Sequence, residues 1–264
     1  MRLFNESMYL SIKKSFIYRA DIIIKLFTGL IQLLISLFLW KYIFRYHSSI
    51  ESYTLDDMLI YYLIMTFLTN IFFPSNIFTN SQEVKSGNIA IKLLKPIHIN
   101  IINFLDFLGS KFIDIVLLTI SIVVISIMGL VQFNLLSIIS ILLLFLNFFC
   151  LFIFGQLISN IAYYITEVWP LRPLYRSFYL LFSGGIIPLD LMPERFKGFM
   201  SLSPFSLFGF SNANVLMGRS QDLERSFILS IIYSLIFLIL HIICQRNALR
   251  KLEVVGVWDI LLQV

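Results

Sequence analysis

The chain alternates between long apolar runs and short polar stretches, and this pattern predicts a membrane domain. A hydrocarbon core about 30 Å thick is crossed by about 20 residues of predominantly apolar helix. Candidate runs cover residues 22–44, 55–78, 104–130, 135–165, 174–188 and 227–244. The pattern therefore predicts an all-α polytopic membrane protein with six transmembrane helices.

The fifth of these runs is short and ends in the residues SGGIIP. Gly184, Gly185 and Pro188 oppose a regular helix there. The moderately apolar residues that follow are interrupted by Pro193 and, further on, by Pro204. Non-helical backbone at membrane depth needs shielding by protein or water. We therefore expect residues 184–210 to form a re-entrant or interfacial helical hairpin, with a plain extracellular loop as the alternative.

Residues 1–20 are predicted to form a separate amphipathic helix. Apolar residues such as Met8 and Ile12 recur there at helical spacing, whereas Lys13 and Lys14 fall on the other side. That arrangement is typical of a helix that lies in the membrane interface. The alternative is an ordinary charged flank beside the first span.

Composition supports the membrane assignment. The chain is 59% hydrophobic and 13% charged, with a mean hydropathy of +0.89. Soluble domains have about 25% charged residues. The net charge of +5 favours Lys- and Arg-rich cytoplasmic loops over a nucleic-acid partner. The two cysteines lie in apolar runs and predict packing rather than a disulfide framework. We expect a single membrane domain over residues 1–264.

The polar stretch SQEVKSGNIAIKLLKPI, residues 81–97, separates the second run from the third. Its charged residues include Glu83, Lys85 and Lys92, and the Gly-Asn pair at Gly87 predicts a tight turn or a helix boundary. The apolar positions between them are Val84, Ile89, Ile91, Leu93 and Leu94. The pattern predicts a short amphipathic helix at the membrane surface, where a second protein can dock. The alternative is a plain surface loop.

Sequence signatures of catalysis are missing from the chain. It has no G-x-x-x-x-G-K-[ST] phosphate loop and no H-E-x-x-H zinc motif. No carboxylate stands out near the middle of a span, where a proton-driven transporter usually needs one. The sequence therefore predicts a protein without its own catalytic site that depends on an external energy source.

Three charged residues, Asp106, Lys111 and Asp114, fall near the start of the third run. Lys111 and Asp114 share one helix face at a spacing of three residues. We expect a local ion pair near the cytoplasmic surface, with the Lys111 side chain reaching toward water. The alternative is a contact between helices.

Three segments resemble the membrane subunits of ABC-2 type (type V) ABC exporters, in particular bacterial permeases of about 260 residues that work with a separate ATPase. FIYRADII, beginning at Phe16, resembles the elbow helix of that family. Residues 81–97 resemble its cytoplasmic coupling segment. LFSGGIIPLDLMPERFKGFMSLSPF, residues 181–205, resembles its extracellular re-entrant region. The resemblance extends over nearly the whole chain.

The resemblance implies a fold and a set of partners. It implies six spans, an elbow helix, a coupling helix after the second span and an extracellular helical hairpin. It also implies two permease subunits, identical or sister chains, and two copies of an ABC ATPase that binds ATP and Mg²⁺. No cofactor is then expected in this chain, and the location implied is the bacterial cytoplasmic membrane.

The resemblance also assigns roles to residues by position. The ATPase-coupling residues would be Glu83, Val84, Lys85, Ser86, Gly87, Asn88 and Lys92. The extracellular gate would include Gly184, Gly185, Pro188, Pro193 and Pro204.

Polar residues in the first two runs are candidates for a translocation path between subunits. They are Gln32, Thr66, Thr69 and Asn70. The alternative is that these side chains hold helices together by hydrogen bonds. The cargo expected is hydrophobic or amphipathic, namely a peptide, a drug or a lipid-like molecule. The alternatives to an exporter are a scaffold or sensor subunit that couples an ABC ATPase to signalling or resistance, and an intramembrane enzyme.

The charge bias makes a testable prediction about topology. With the N-terminus inside, cytoplasmic segments carry roughly twice as many Lys and Arg residues as the opposite side, which places both termini in the cytoplasm. A reporter that is active only outside the cytoplasm, fused after Val264, should therefore be inactive. Labelling of a cysteine at that end by an impermeant reagent in intact cells would contradict the topology.

Overall fold

The computed structural model describes residues 9–10, 13, 19–46, 48–86, 88–94, 98–129, 135–164, 168, 170–219 and 223–262. The predicted elbow, residues 1–20, lies almost wholly outside the described residues, and Gly87 lies outside them as well.

The described residues are almost entirely helical, as the apolar runs predict. The helices are α1 (Arg19–Ile43), α2 (Leu55–Ile71), α3 (Asn76–Lys85), α4 (Asn88–Leu93), α5 (Ile99–Ile127), α6 (Leu135–Ser159), α7 (Leu171–Phe182), α8 (Glu194–Ser201), α9, which runs from Pro204–Ser206 through a π-helical turn (Leu207–Ser211) to Asn212–Leu216, and α10 (Leu223–Leu262). A 3₁₀ turn, Asn160–Tyr163, extends α6, and another, Leu189–Leu191, precedes α8.

Five helical segments of the described chain are long and apolar enough to cross a membrane. They are Ile22–Ile43, Leu55–Glu83, Ile99–Ile127, Ile139–Ala162 and Leu223–Ala248. Each overlaps one of the predicted runs, and together they confirm an all-α polytopic membrane protein.

The run predicted over residues 174–188 differs from the other five. Its helix, α7, has 12 residues. At 1.5 Å per residue α7 is about 18 Å long, which is too short to cross a core of about 30 Å by itself. The chain turns away just after it, where Gly184 has a φ of 76° that favours glycine. The fifth predicted run is therefore a short helix followed by a turn.

The core of the bundle lies between α2 and α6. Within an apolar stretch of 18 residues in each span, 56% are buried in Leu55–Glu83 and 50% in Ile139–Ala162, against 11% in Ile22–Ile43. Aromatic rings join the central helices, with the Phe148 ring 4.9 Å from that of Phe107 and 6.5 Å from that of Phe72. The ring of Phe72 in turn stacks on Phe208 at 5.8 Å. Residues of α5, α6 and α9 therefore pack around the end of α2.

The start of α2 is fixed by its own sequence. The Thr54 side chain accepts a hydrogen bond from the Asp57 amide, and the Asp57 carboxylate accepts one from the Thr54 amide. This reciprocal capping box satisfies amides that the first helical turn leaves without partners.

A glycine allows the closest approach between α9 and the turn after α7. A Cβ on Gly209 would lie 2.3 Å from the carbonyl oxygen of Ser183 and 2.7 Å from its Cβ. Ser183 is fully buried, so this close approach lies inside the bundle. A Cβ on Gly198, on α8, would have no neighbouring atom within 4 Å.

Gly209→Ala should therefore destabilise the protein, and Gly198→Ala is its matched control. Overpacking against backbone costs about 1–3 kcal/mol. Replacing the open helical Gly198 should leave stability unchanged or raise it by up to about 1 kcal/mol. The measurement is the thermal unfolding midpoint of each purified variant in one detergent. Equal midpoints for the two variants would contradict the packing described.

Candidate functional site

Polar side chains line the contacts that α3 and α4 make with α5 and α6. We call this cluster the polar seam; its residues are Asn76, Asn80, Glu83, Lys92, Asn103, Asp106 and Gln156.

On α3, the seam residues Asn76, Asn80 and Glu83 follow the helical repeat, so they share one face. The Asn76 amide donates to the backbone carbonyl of Phe152 at 3.2 Å. The Asn80 amide donates to the side-chain oxygen of Gln156 at 3.0 Å. These bonds hold α3 against α6.

Lys92 occupies the centre of the seam. Its amine lies 2.7 Å from the Glu83 carboxylate and 3.2 Å from the Asp106 carboxylate, and it donates to the Asn103 side-chain oxygen at 3.0 Å. The three acceptors match the three donors of an ammonium group. The Lys92 side chain is only 14% exposed. Lys92 therefore ties α4 to both α3 and α5.

The structure divides the predicted coupling residues into two groups. Glu83 and Lys92 contact each other inside the seam, whereas Ser86 and Asn88 are exposed. Gly87 lies outside the described residues, and so do the side chains of Val84 and Lys85.

Two of the apolar positions noted in residues 81–97 form a surface that faces outward from α4. Ile91 is 61% exposed and Leu94, just after the helix, is 85% exposed. They are three residues apart, so they lie on a similar side of the helix. Lys92, which lies between them in the sequence, points inward to Glu83 and Asp106. The predicted amphipathic segment therefore carries Glu83 and Lys92 toward the bundle and two large apolar side chains away from it.

Two further polar contacts tie α10 to the other helices. The side-chain amides of Asn100, on α5, and Gln245, on α10, exchange two hydrogen bonds of 3.0 Å. The Asn160 amide lies 3.3 Å from Nδ1 of His241. The start of α5 and the end of α6 are thereby connected to α10.

The charged residues within the third run make contacts between helices. The Asp114 carboxylate pairs with Lys25 of α1 at 3.1 Å. The Lys111 amine donates to the backbone carbonyl of Asn70, on α2, at 2.6 Å. Both Lys111 and Asp114 are buried. The expected local, snorkelling pair is therefore wrong, and the alternative of helix–helix contacts is confirmed.

Three of the four pathway candidates lie together on α2, and their polar groups bond to the helix itself. The Thr66 hydroxyl donates to the Tyr62 carbonyl, and Thr69 and Asn70 both donate to the Thr66 carbonyl. Gln32 is exposed on α1. The structure therefore does not bring Gln32 into the group on α2, and a translocation path through these residues stays a prediction.

The predicted gate residues lie in the segment that packs on the first turns of α2. The Tyr61 hydroxyl donates to the Gly184 carbonyl at 2.8 Å, and the Tyr62 hydroxyl donates to the Ile186 carbonyl at 2.6 Å. Gly185 follows in the same turn. Pro188, Pro193 and Pro204 stand at the starts of the 3₁₀ turn, of α8 and of α9.

A second polar cluster, which we call the Tyr53 cluster, joins this segment to the start of α2. Its residues are Tyr53, Asp57, Asp190, Lys197 and Arg219. The Tyr53 hydroxyl donates to Asp190 at 3.1 Å, and Lys197 pairs with the other oxygen of Asp190 at 3.2 Å. The Arg219 guanidinium lies 4.0 Å above the Tyr53 ring and 3.2 Å from Asp57.

Electrostatics in the Tyr53 cluster keep its donors protonated. Burial and the nearby Asp190 carboxylate raise the pKa of Tyr53 well above its ordinary value. The hydrogen bond to Asp190 also raises the pKa of Lys197. Tyr53 therefore remains a neutral donor, and Lys197 a cation, throughout the physiological pH range.

One known family matches this chain. Its description is ABC-2 family transporter protein, and the match covers residues 30–256. The matched range includes both the polar seam and the Tyr53 cluster. No curated protein matches the chain.

The seam predicts the effect of removing its central cation. Lys92→Met removes the cation that the Glu83 and Asp106 carboxylates share. Since unsatisfied half-buried groups cost about 1–3 kcal/mol, amides of α3 and α4 should exchange with solvent at least about tenfold faster. Hydrogen exchange with peptide-level mass spectrometry measures this effect. Lys41→Met, at an exposed site on α1, is the control and should leave α3 and α4 unchanged. Equal exchange in the two variants would contradict the role of Lys92.

Proposed function

The chain belongs to the ABC-2 family of transporter proteins, and from this premise we propose that it is the permease subunit of an ATP-driven exporter. The observation that carries the proposal is the family match over residues 30–256, which includes most of the five apolar spans. The cargo proposed is a hydrophobic or amphipathic molecule, namely a peptide, a drug or a lipid-like compound. The chain would act in a bacterial plasma membrane with both termini in the cytoplasm.

The energy for transport would come from a partner. The sequence has no phosphate-binding loop of its own. Two copies of an ABC ATPase would bind ATP and Mg²⁺ and work with two permease subunits, either identical or sister chains. The chain itself is then a transport subunit rather than an enzyme.

The α3–α4 segment supports this proposal because it combines an accessible outer surface with a firm inner attachment. Ile91 and Leu94 are exposed and supply an apolar contact for a partner. Lys92 joins the same segment to Glu83 on α3 and to Asp106 on α5. A displacement imposed on α4 by an ATPase would therefore pass directly to a membrane-spanning helix.

Affinity purification of the tagged chain from its native membrane, followed by mass spectrometry, tests the proposal. An ABC ATPase in roughly stoichiometric amount supports the exporter, and a sister permease in the same sample would show a heteromeric pair. Absence of an ATPase, in a detergent that preserves other membrane complexes, would overturn the proposal.

The exposed apolar surface of Ile91 and Leu94, which we call the docking surface, makes a sharper prediction. Leu94→Asp should strongly reduce ATPase recovery, because it places a charge in the centre of an apolar contact. The matched control is Leu202→Asp. Leu202 is 52% exposed but follows α8, far from α4 along the chain. Both variants should insert and purify in similar amounts. Undiminished ATPase recovery with Leu94→Asp would contradict a docking role for this surface.

A further inference from the structure

The second span is broken near Pro74, and the break leaves a backbone carbonyl without its usual partner in the helix. In a continuous α-helix the amide of residue 74 would donate to the carbonyl of residue 70. Residue 74 is proline, which has no amide hydrogen. The Phe72 amide still donates to Leu68 at 2.8 Å, and the chain resumes as a helix at Asn76. The Asn70 carbonyl therefore lacks the backbone partner it would have in an unbroken helix.

This carbonyl lies inside a candidate span, Leu55–Glu83, where lipid offers no hydrogen-bond donor. The Lys111 amine reaches it from α5 at 2.6 Å. Lys111 is 5% exposed, so the donor is held within the bundle rather than extended toward water.

The Lys111 amine also has a neighbour on its own helix. It lies 5.8 Å from the centre of the Phe107 ring, within the range of a cation–π contact. Asp114 follows one helical turn later and is paired with Lys25. The amine thus lies beside the Phe107 ring of its own helix, and its hydrogen bond goes to α2.

We propose that Lys111 is a positioning residue that caps the broken end of α2 and thereby sets the angle between α2 and α3. The lysine replaces the hydrogen bond that Pro74 cannot make. The hinge, residues 72–75, joins the core of the bundle to the segment that carries the docking surface.

The same helix fixes both sides of this hinge. Lys111 of α5 bonds to the last turn of α2, and Asp106 of α5 pairs with Lys92 of α4. Bending at residues 72–75 would move α3 and α4 relative to α5. Such a movement would strain the Lys111–Asn70 contact or the Lys92–Asp106 contact. The role of Lys111 in transmitting motion during transport rests on the proposed function, whereas its role as a cap does not.

A rescue experiment tests the cap. Lys111→Met removes the donor, and Pro74→Ala supplies an amide that can bond to Asn70 if α2 continues. Spin labels at Ser49→Cys and Ser86→Cys, both exposed, report the distance along α2 and α3 by pulsed electron resonance. The background lacks the native Cys150 and Cys244, and every variant is measured as the purified full chain in lipid nanodiscs.

Lys111→Met should broaden the distance distribution, with the share of non-native distances rising about tenfold for one lost buried hydrogen bond. Adding Pro74→Ala should narrow the distribution again to a single distance. Lys25→Met is the control, since it removes a cation beside Asp114 that does not contact Asn70; Pro74→Ala should not correct its effect. An unchanged distribution in Lys111→Met, or failure of Pro74→Ala to narrow it, would overturn the proposal.

A second readout separates this inference from the proposed function. In the complex with its co-purified ATPase, Lys111→Met should lower cargo movement per ATP hydrolysed, and Pro74→Ala should restore it. If no ATPase is recovered, the exporter proposal falls while the distance measurement still decides the cap. If the ATPase is recovered and the distances do not change, only the cap is wrong.

Discussion

Hydrocarbon supplies no hydrogen-bond partner, and the internal contacts of this protein follow from that constraint. Asn147 illustrates it, because this side chain is fully buried in the apolar helix α6. Its amide donates to Asn212 and to the Leu207 carbonyl, and its oxygen accepts from Ser230. One asparagine thus joins α6, α9 and α10. Polar residues in the spans are few, and those that are buried serve as specific contacts between helices.

The two polar clusters give the second span a fixed start and a fixed continuation. At its start, Asp57 both caps the helix and pairs with Arg219. At the other end, Glu83 on α3 is paired with Lys92. Between them the chain is broken at Pro74, where regular backbone hydrogen bonds are interrupted. The interruption of the helix in this span therefore lies at one place, between two well-anchored segments.

Much of the fold could be predicted from the sequence because each long span is apolar over its whole length. The third span shows where this reasoning fails. The apolar run begins at residue 104, but α5 begins at Ile99. The helix also includes Asn100 and Asn103, because Gln245 and Lys92 form hydrogen bonds with their side chains. Those partners are 145 and 11 residues away along the chain, so no local pattern reveals them. The short α7 was counted as a span because apolar residues continue past Gly184, although the glycines and Pro188 already indicated that a regular helix ends there.

The orientation of Lys92 shows how the fold can reverse the apparent role of a segment. A lysine in a polar stretch is typical of a surface charge that contacts a partner. An exposed ion pair in water, however, contributes only about 0–1 kcal/mol to stability. The same cation held by Glu83, Asp106 and Asn103, and largely shielded from water, makes a stronger and more directional connection. In the proposed coupling role, the segment would need that connection on its inner side. Its outer side would need a contact that forms without a fixed partner geometry, and the exposed side chains of Ile91 and Leu94 would supply it.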